Sequence, residues 1–128
     1  MVSLMRILFA GCLVLASLSG AIAQTVDDQS GAAIEAETLA AVLTLATRDV
    51  ADPGAAHIRN IHKSLARNGE GYCGEVSLTA GGDFTVFHAI LAGGTGPSVL
   101  RMADFPESDQ SSNATTVRQM MKNFGCVE

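Results

Sequence analysis

Three side chains in the stretch GYCGEVSLTAGGDFTVFHAIL, residues 71–91, are of the types that act together in acyl transfer: Glu75, Ser77 and His88. A serine becomes a nucleophile when a histidine takes its proton and a carboxylate orients that histidine. Such a site also needs an oxyanion hole and a cleft, and the glycine-flanked serine turn of many hydrolases does not occur in this sequence. The residues therefore favour a buried structural network, and a small secreted hydrolase is the alternative.

A predicted β-hairpin positions these side chains. Residues 72–79 and 84–91 are two β-type runs, and a two-residue Gly81-Gly82 loop between them places Glu75 directly opposite His88. On the same face the other predicted pairs are Cys73 with Ile90 and Ser77 with Val86. The opposite, apolar face pairs Val76 with Phe87, Gly74 with Ala89 and Tyr72 with Leu91. Because both faces carry apolar groups, we expect the sheet to be covered on both sides.

A carboxylate on a covered face needs a partner, because burying an unpaired charge is costly. His88 can supply this partner to Glu75, and so can Arg59 if its segment joins the sheet. The sequence thus predicts a structural polar network of these three residues. No metal or cofactor is predicted, since His57 and His62 are five apart and do not converge on a helix or on a strand.

The first 23 residues have the pattern of a signal peptide. A short basic start with Arg6 precedes an uncharged apolar run, and Ala21-Ile22-Ala23 is a small-x-small cleavage signal. Cys12 would leave with this segment. The pattern predicts a periplasmic or secreted protein without a membrane anchor after processing, and the remaining residues 24–128 are the length of one domain.

The net charge and the number of cysteines further restrict the kinds of protein that this sequence can encode. Loss of Arg6 would change the net charge from −5 to −6, which argues against binding to nucleic acid or to anionic lipid. Two cysteines remain, Cys73 and Cys126, and pairing is the default in an oxidising compartment. The spacing is wrong for a C-x-x-C redox pair, so we predict a structural disulfide with a chain-entropy contribution of about 4 kcal/mol.

The sequence predicts a disordered segment at residues 24–31 and a single α+β domain over residues 32–128, which includes the hairpin. Apolar spacing predicts a helix from Ala32 to the Asp52-Pro53 pair, with Ser30 as a possible N-cap. Residues 58–66 are ambiguous, because Ile58, Ile61 and Leu65 have helical spacing while a strand is the alternative.

The C-terminal part begins with a loop at residues 92–98 and a short strand at 99–103. Residues 104–112 form a polar connection. A last helix is predicted from about Asn113, with Ser112 or Asn113 as its cap and Gly125 as its stop. Asn113 also starts a glycosylation sequon, whose use the sequence leaves open. Together these elements predict an antiparallel sheet of three or four strands flanked by N- and C-terminal helices.

The segments DPGAAHIRNI and YCGEVS, followed by a Gly-Gly turn, resemble motifs of a loosely defined group of small exported bacterial proteins of uncharacterised function. The matching residues are Asp52, Pro53, Ala56, Ile58, Arg59, Asn60, Cys73, Gly74, Glu75 and Val76. Ser77 stands where that group usually has asparagine. The resemblance covers residues 52–91 and implies that Ile58 begins a strand paired with the hairpin. It implies no activity.

No complete catalytic set is recognisable, so we expect a non-enzymatic binding or envelope-accessory domain. Its partner would be an unknown protein or small ligand of the cell envelope. The alternatives are the hydrolase described above and an inhibitor of another enzyme, which rests only on small size, export and a disulfide.

Overall fold

The computed structural model describes residues 24–67, 69–92, 96–106 and 108–128. Within them the chain is an α+β domain with a five-stranded sheet in the order β1-β2-β3-β4-β5. The elements are β1 Thr25–Val26, α1 Ala36–Ala46, β2 His57–Lys63, β3 Gly71–Ser77, β4 Thr85–Ile90, β5 Ser98–Arg101 and α2 Ser112–Asn123. The α+β class is confirmed, but the sheet is mixed and larger than predicted, because β1 pairs parallel with β2. The predicted signal peptide and Cys12 lie outside the described residues.

α1 packs against one face of the sheet. Val42, Leu45 and Ala46 are its buried residues. They share a core with residues of the three central strands, which are Ile58, Ile61, Val76, Phe87 and Ala89. Burial of these apolar side chains is the main stabilising contribution on this side of the sheet.

The helix is shorter than predicted at both ends. It begins at Ala36 instead of Ala32, and it ends at Ala46 well before the Asp52-Pro53 pair. Arg101 of β5 donates Nη1–H bonds to the carbonyls of Ala46 (3.3 Å) and Arg48 (2.6 Å), which satisfies acceptors at the C-terminal end of the helix. The contact with Arg101 therefore stabilises the end of α1 at Ala46, whereas the sequence alone predicted that the helix ends at the Asp52-Pro53 pair.

Residues that the apolar pattern assigned to a helix form β2, as the resemblance implied. Arg59 lies opposite Glu75 and His62 lies opposite Cys73, so β2 has one extra residue between these pairs. This β-bulge shifts the alternation of side chains. Ile58 therefore faces the same side as the residue three positions later, and both are buried. The bulge explains why a strand has helix-like spacing.

The predicted disorder of residues 24–31 is wrong, because this segment closes the bulge. Asn60 has a left-handed φ of 53°, and its N–H donates to Asp28 Oδ2 at 2.7 Å. The N–H of Ile61 donates to Ser30 Oγ at 2.8 Å, so Ser30 caps the bulge and not the helix. The Ser30 hydroxyl and the Asn60 N–H hold the pKa of the Asp28 carboxyl below its usual value.

β3 and β4 form the predicted hairpin in a different register. His88 lies opposite Cys73 and Glu75 lies opposite Val86, so the predicted opposition of Glu75 and His88 is wrong. Each β3 residue therefore lies opposite a β4 residue two positions earlier than predicted. Because side chains alternate with a period of two, the residues predicted to share a face still share it.

The turn and the packing together account for this register. The pairs are centred on Ala80 and Gly81, and Gly81 adopts the left-handed φ of 73° that favours glycine. Gly74 lies opposite Phe87, whose fully buried ring occupies the space that a side chain at position 74 would need. In the predicted register Phe87 would face Val76 and this packing would be lost.

Gly74→Ala is expected to destabilise the protein by about 1–3 kcal/mol, the usual cost of overpacking a core. The added methyl group would lie 2.6 Å from two ring carbons of Phe87. Urea unfolding followed by circular dichroism measures the loss. In a Phe87→Leu background the same substitution should cost less, since the ring that clashes is gone. An equal cost in both backgrounds would contradict this explanation of the register.

α2 lies against the other face at its C-terminal end, where Phe124 stacks on His88. Its buried residues are Ala114, Val117 and Met121. The N-cap is Ser111, one residue before the predicted positions, and its Oγ accepts the N–H of Ala114 at 3.2 Å.

The C-terminal end of α2 is joined to the sheet by the predicted bridge. Gly125 has a φ of 74° and follows the helix, and the N–H of Cys126 donates to the carbonyl of Met121 at 2.9 Å. This is the hydrogen bond of a Schellman stop. Cys126 and Cys73 form a disulfide with an S–S length of 2.07 Å and a Cα–Cα distance of 5.2 Å. The bridge ties the last helix to the central strand β3.

Candidate functional site

The predicted serine and histidine of the hydrolase alternative lie apart. The Ser77 hydroxyl is buried and donates to the carbonyls of Thr79 (2.8 Å) and Gly82 (3.0 Å) in the following turn. His88 lies opposite Cys73, which is four residues from Ser77 and therefore about 13 Å away along the strand. These side chains do not converge, so the predicted catalytic set is not assembled.

His88 is enclosed between the sheet and the end of α2. It is 1% exposed, its Nε2 is 2.9 Å from Ser64 Oγ, and its ring stacks on Phe124 with centroids 4.0 Å apart. Its Nδ1 is buried without a hydrogen-bond partner in the described part of the chain. Burial lowers the pKa of His88 to about 4, because the charged imidazolium is poorly solvated there. A neutral, enclosed histidine is a structural group at neutral pH.

The predicted network of Arg59, Glu75 and His88 is split. Arg59 donates its Nε–H to Glu75 Oε2 at 2.6 Å, while His88 bonds elsewhere. The guanidinium carbon of Arg59 also lies 3.8 Å from the centroid of the Phe84 ring. Both charged side chains are partly exposed, at 47% and 28%, and exposed pairs of this kind contribute about 0–1 kcal/mol. The pair orients Arg59 over Phe84 more than it stabilises the fold.

The other two histidines have partners that are separate from His88 and from each other. His57 Nδ1 lies 2.6 Å from Asp27 Oδ1, and His62 Nδ1 lies 3.0 Å from the carbonyl of Asn60. The residues that the structure describes include no group of three His, Cys, Asp or Glu side chains that could hold a metal ion. The contact of His57 connects β2 to the N-terminal segment, and the contact of His62 lies within the bulge.

A groove of about 670 Å³ lies where β4 extends beyond β5. β5 pairs with residues 87–90 of β4, so Thr85 and Val86 have no strand partner on that edge among the described residues. After β5 the chain enters the 3-10 turn Met102–Asp104, which forms the opposite wall. We call this cavity the β4 groove, and it is lined by Asp83, Phe84, Thr85, Val86, Met102, Ala103, Phe105 and Pro106.

Sequence reasoning missed the β4 groove. Its walls come from the start of one strand and from the segment after another, which are separated in the chain. The available signal was Met102, near the end of the predicted strand, and Phe105, a large apolar side chain inside the predicted polar connection. Neither residue belongs to the buried core, so both are available to contact another molecule.

No family model, curated protein or solved structure matches this chain. None of the helices in the described ranges is long enough and apolar enough to cross a bilayer. The Cys73–Cys126 bridge is compatible with an oxidising, extracytoplasmic location.

Proposed function

We propose that this protein is a non-enzymatic binding module of the periplasm or the extracellular space. In this proposal the β4 groove holds an extended segment of another exported protein. The observation that carries the proposal is the unpaired edge of β4 at Thr85 and Val86, which lies beside an apolar wall. An extended segment can add to such an edge through main-chain hydrogen bonds while one of its side chains enters the adjacent pocket.

The lining supports an apolar anchor residue in the bound segment. Phe84, Val86, Met102 and Phe105 are all partly exposed along the groove. A volume of about 670 Å³ is within the usual range of ligand sites. Enclosing a large apolar side chain of the partner contributes roughly 1.5–3 kcal/mol. Contacts of this size support a specific but moderate affinity.

Three features support export. They are the signal-like N-terminal pattern, the disulfide that joins α2 to β3, and the resemblance of residues 52–91 to small exported bacterial proteins. A domain of this size benefits from a covalent tie, because its core is small. The partner would then be a protein of the same compartment.

Selection of short random peptides against the exported protein tests the proposal. We expect enrichment of extended sequences with one aromatic or large aliphatic residue, because the groove offers an open strand edge and an apolar wall. The selected peptides should shift the amide NMR signals of residues 83–86 and of Met102. The proposal would be overturned if no sequence were enriched, or if the binders shifted signals elsewhere only.

A pair of tryptophan variants separates groove binding from general adhesion. Ala103 is exposed and lines the groove, so Ala103→Trp should fill the cavity and weaken peptide binding at least tenfold. Ala36 is exposed at the start of α1 and does not line the groove. Ala36→Trp adds the same surface there and should leave the affinity unchanged.

A further inference from the structure

We infer that the segment held in the β4 groove is basic, with a lysine or arginine next to its apolar anchor, and that this cation pairs with Asp83. The inference rests on the proposed function and names the chemistry of the partner. It follows from the partners of the described arginines around the groove and from the exposure of Asp83.

The three arginines that lie around the groove already have partners. A guanidinium engaged in this way offers fewer free N–H groups to an acidic ligand, and a carboxylate partner, where it has one, offsets its charge. The pairings are Arg59 with Glu75 at 2.6 Å, Arg101 with Asp104 at 3.4 Å, and Arg118 with the carbonyls of Pro106 (2.9 Å) and Asp109 (2.7 Å).

Asp83 differs from these groups because it lines the groove and is exposed to solvent. None of the ion pairs found among the described residues includes Asp83. Among the residues that line the groove, Asp83 is the charged one, and its carboxylate can therefore pair with a basic group of a ligand. The formal net charge of −5 for the whole chain adds a long-range attraction for cations and opposes acidic segments. The Asp83 carboxylate and the negative net charge both favour a basic partner.

A matched set of peptides tests this inference. The basic residue of the tightest-binding selected peptide is replaced by glutamine or by glutamate. The binding of all three peptides is then measured by calorimetry at low salt. We expect the order lysine, glutamine, glutamate, with lysine about two- to fivefold tighter than glutamine, as for one exposed ion pair. Raising the salt concentration should reduce this advantage, because exposed charges are screened.

The variant Asp83→Asn keeps the shape of the side chain and should abolish the preference for lysine over glutamine. Glu37→Gln removes one negative charge from the first turn of α1, away from the groove, and should leave the preference intact. Peptides that bind in the groove without enrichment of basic residues, or a preference that survives Asp83→Asn, would overturn this inference while the proposed function stands. Absence of any groove-binding peptide would overturn both.

Discussion

Replacing Cys73 and Cys126 together with alanine is expected to lower the free energy of unfolding by about 4 kcal/mol. The bridge joins residues 53 positions apart, and the chain-entropy estimate for closing a loop of this length in the unfolded state is of that size. Small domains are typically stable by only about 5–15 kcal/mol. The loss would therefore be a large share of the total, and urea unfolding followed by far-ultraviolet circular dichroism measures it.

The loss should appear first at the end of α2. Apart from the bridge, the contacts at this end include a hydrogen bond from the N–H of Leu65 to the carbonyl of Phe124 (2.9 Å), the stacking of Phe124 on His88, and His62 Nε2 at 3.4 Å from the carbonyl of Gly125. Without the disulfide, hydrogen exchange at the amide of position 126 should accelerate more than exchange at β3 amides.

Wild-type protein treated with a reductant is the control for the double variant. It retains both sulfur atoms and lacks only the bond between them, so it should unfold at nearly the same urea concentration as the variant. Unchanged stability in both samples would show that noncovalent contacts alone hold α2 to the sheet.

The second large effect is a loss of stability between about pH 6.5 and pH 4 that depends on His88. The pKa of this histidine is about 4 in the folded protein, because the ring is buried, and 6.5 is its ordinary value. Between these values the unfolded chain binds a proton that the folded protein does not. Stability therefore rises with pH across this window and falls on acidification, by up to 1.4 kcal/mol per pH unit. The total loss attributable to His88 is roughly 3 kcal/mol.

His88→Gln isolates this contribution, because glutamine can bond Ser64 but does not titrate. The variant loses the stacking on Phe124 and should be less stable at pH 7. Its stability should nevertheless depend less on pH from 6.5 to 5, a range in which the carboxyl groups of Asp28 and Asp109, whose pKa values are lowered, stay ionised. Measuring the free energy of unfolding across this range for both proteins gives the difference. Parallel pH profiles would contradict a neutral, buried His88.

Local patterns in the sequence were enough for several parts of the fold. The faces of the hairpin follow from a period of two, and they remain correct in the observed register. The last helix follows from apolar spacing and from Gly125, which stops it. The Cys73–Cys126 bridge follows from having two cysteines in a chain predicted to be exported. The hairpin faces and the last helix depend on residue type and spacing alone, and the bridge could be predicted because only two cysteines follow the signal-like segment.

Contacts between distant residues could not be predicted in the same way. The extra residue at Asn60 gives β2 the apolar spacing of a helix, and the side chains that stabilise this bulge come from the N-terminal segment predicted to be disordered. The β4 groove likewise joins Phe84 to Phe105 across a strand and a turn. Neither feature leaves a periodic signal in the sequence.

The sequence by itself determined the class of the fold, the face on which each hairpin side chain lies and the pairing of the two cysteines. Only the tertiary structure decided that Glu75 pairs with Arg59 and that His88 is enclosed beside Ser64. The physical reason is the turn: moving its centre by one residue slides every cross-strand partner by two, which preserves the faces and changes the neighbours. The packing of Phe87 over Gly74 selects between these registers, and that packing exists only in the folded protein.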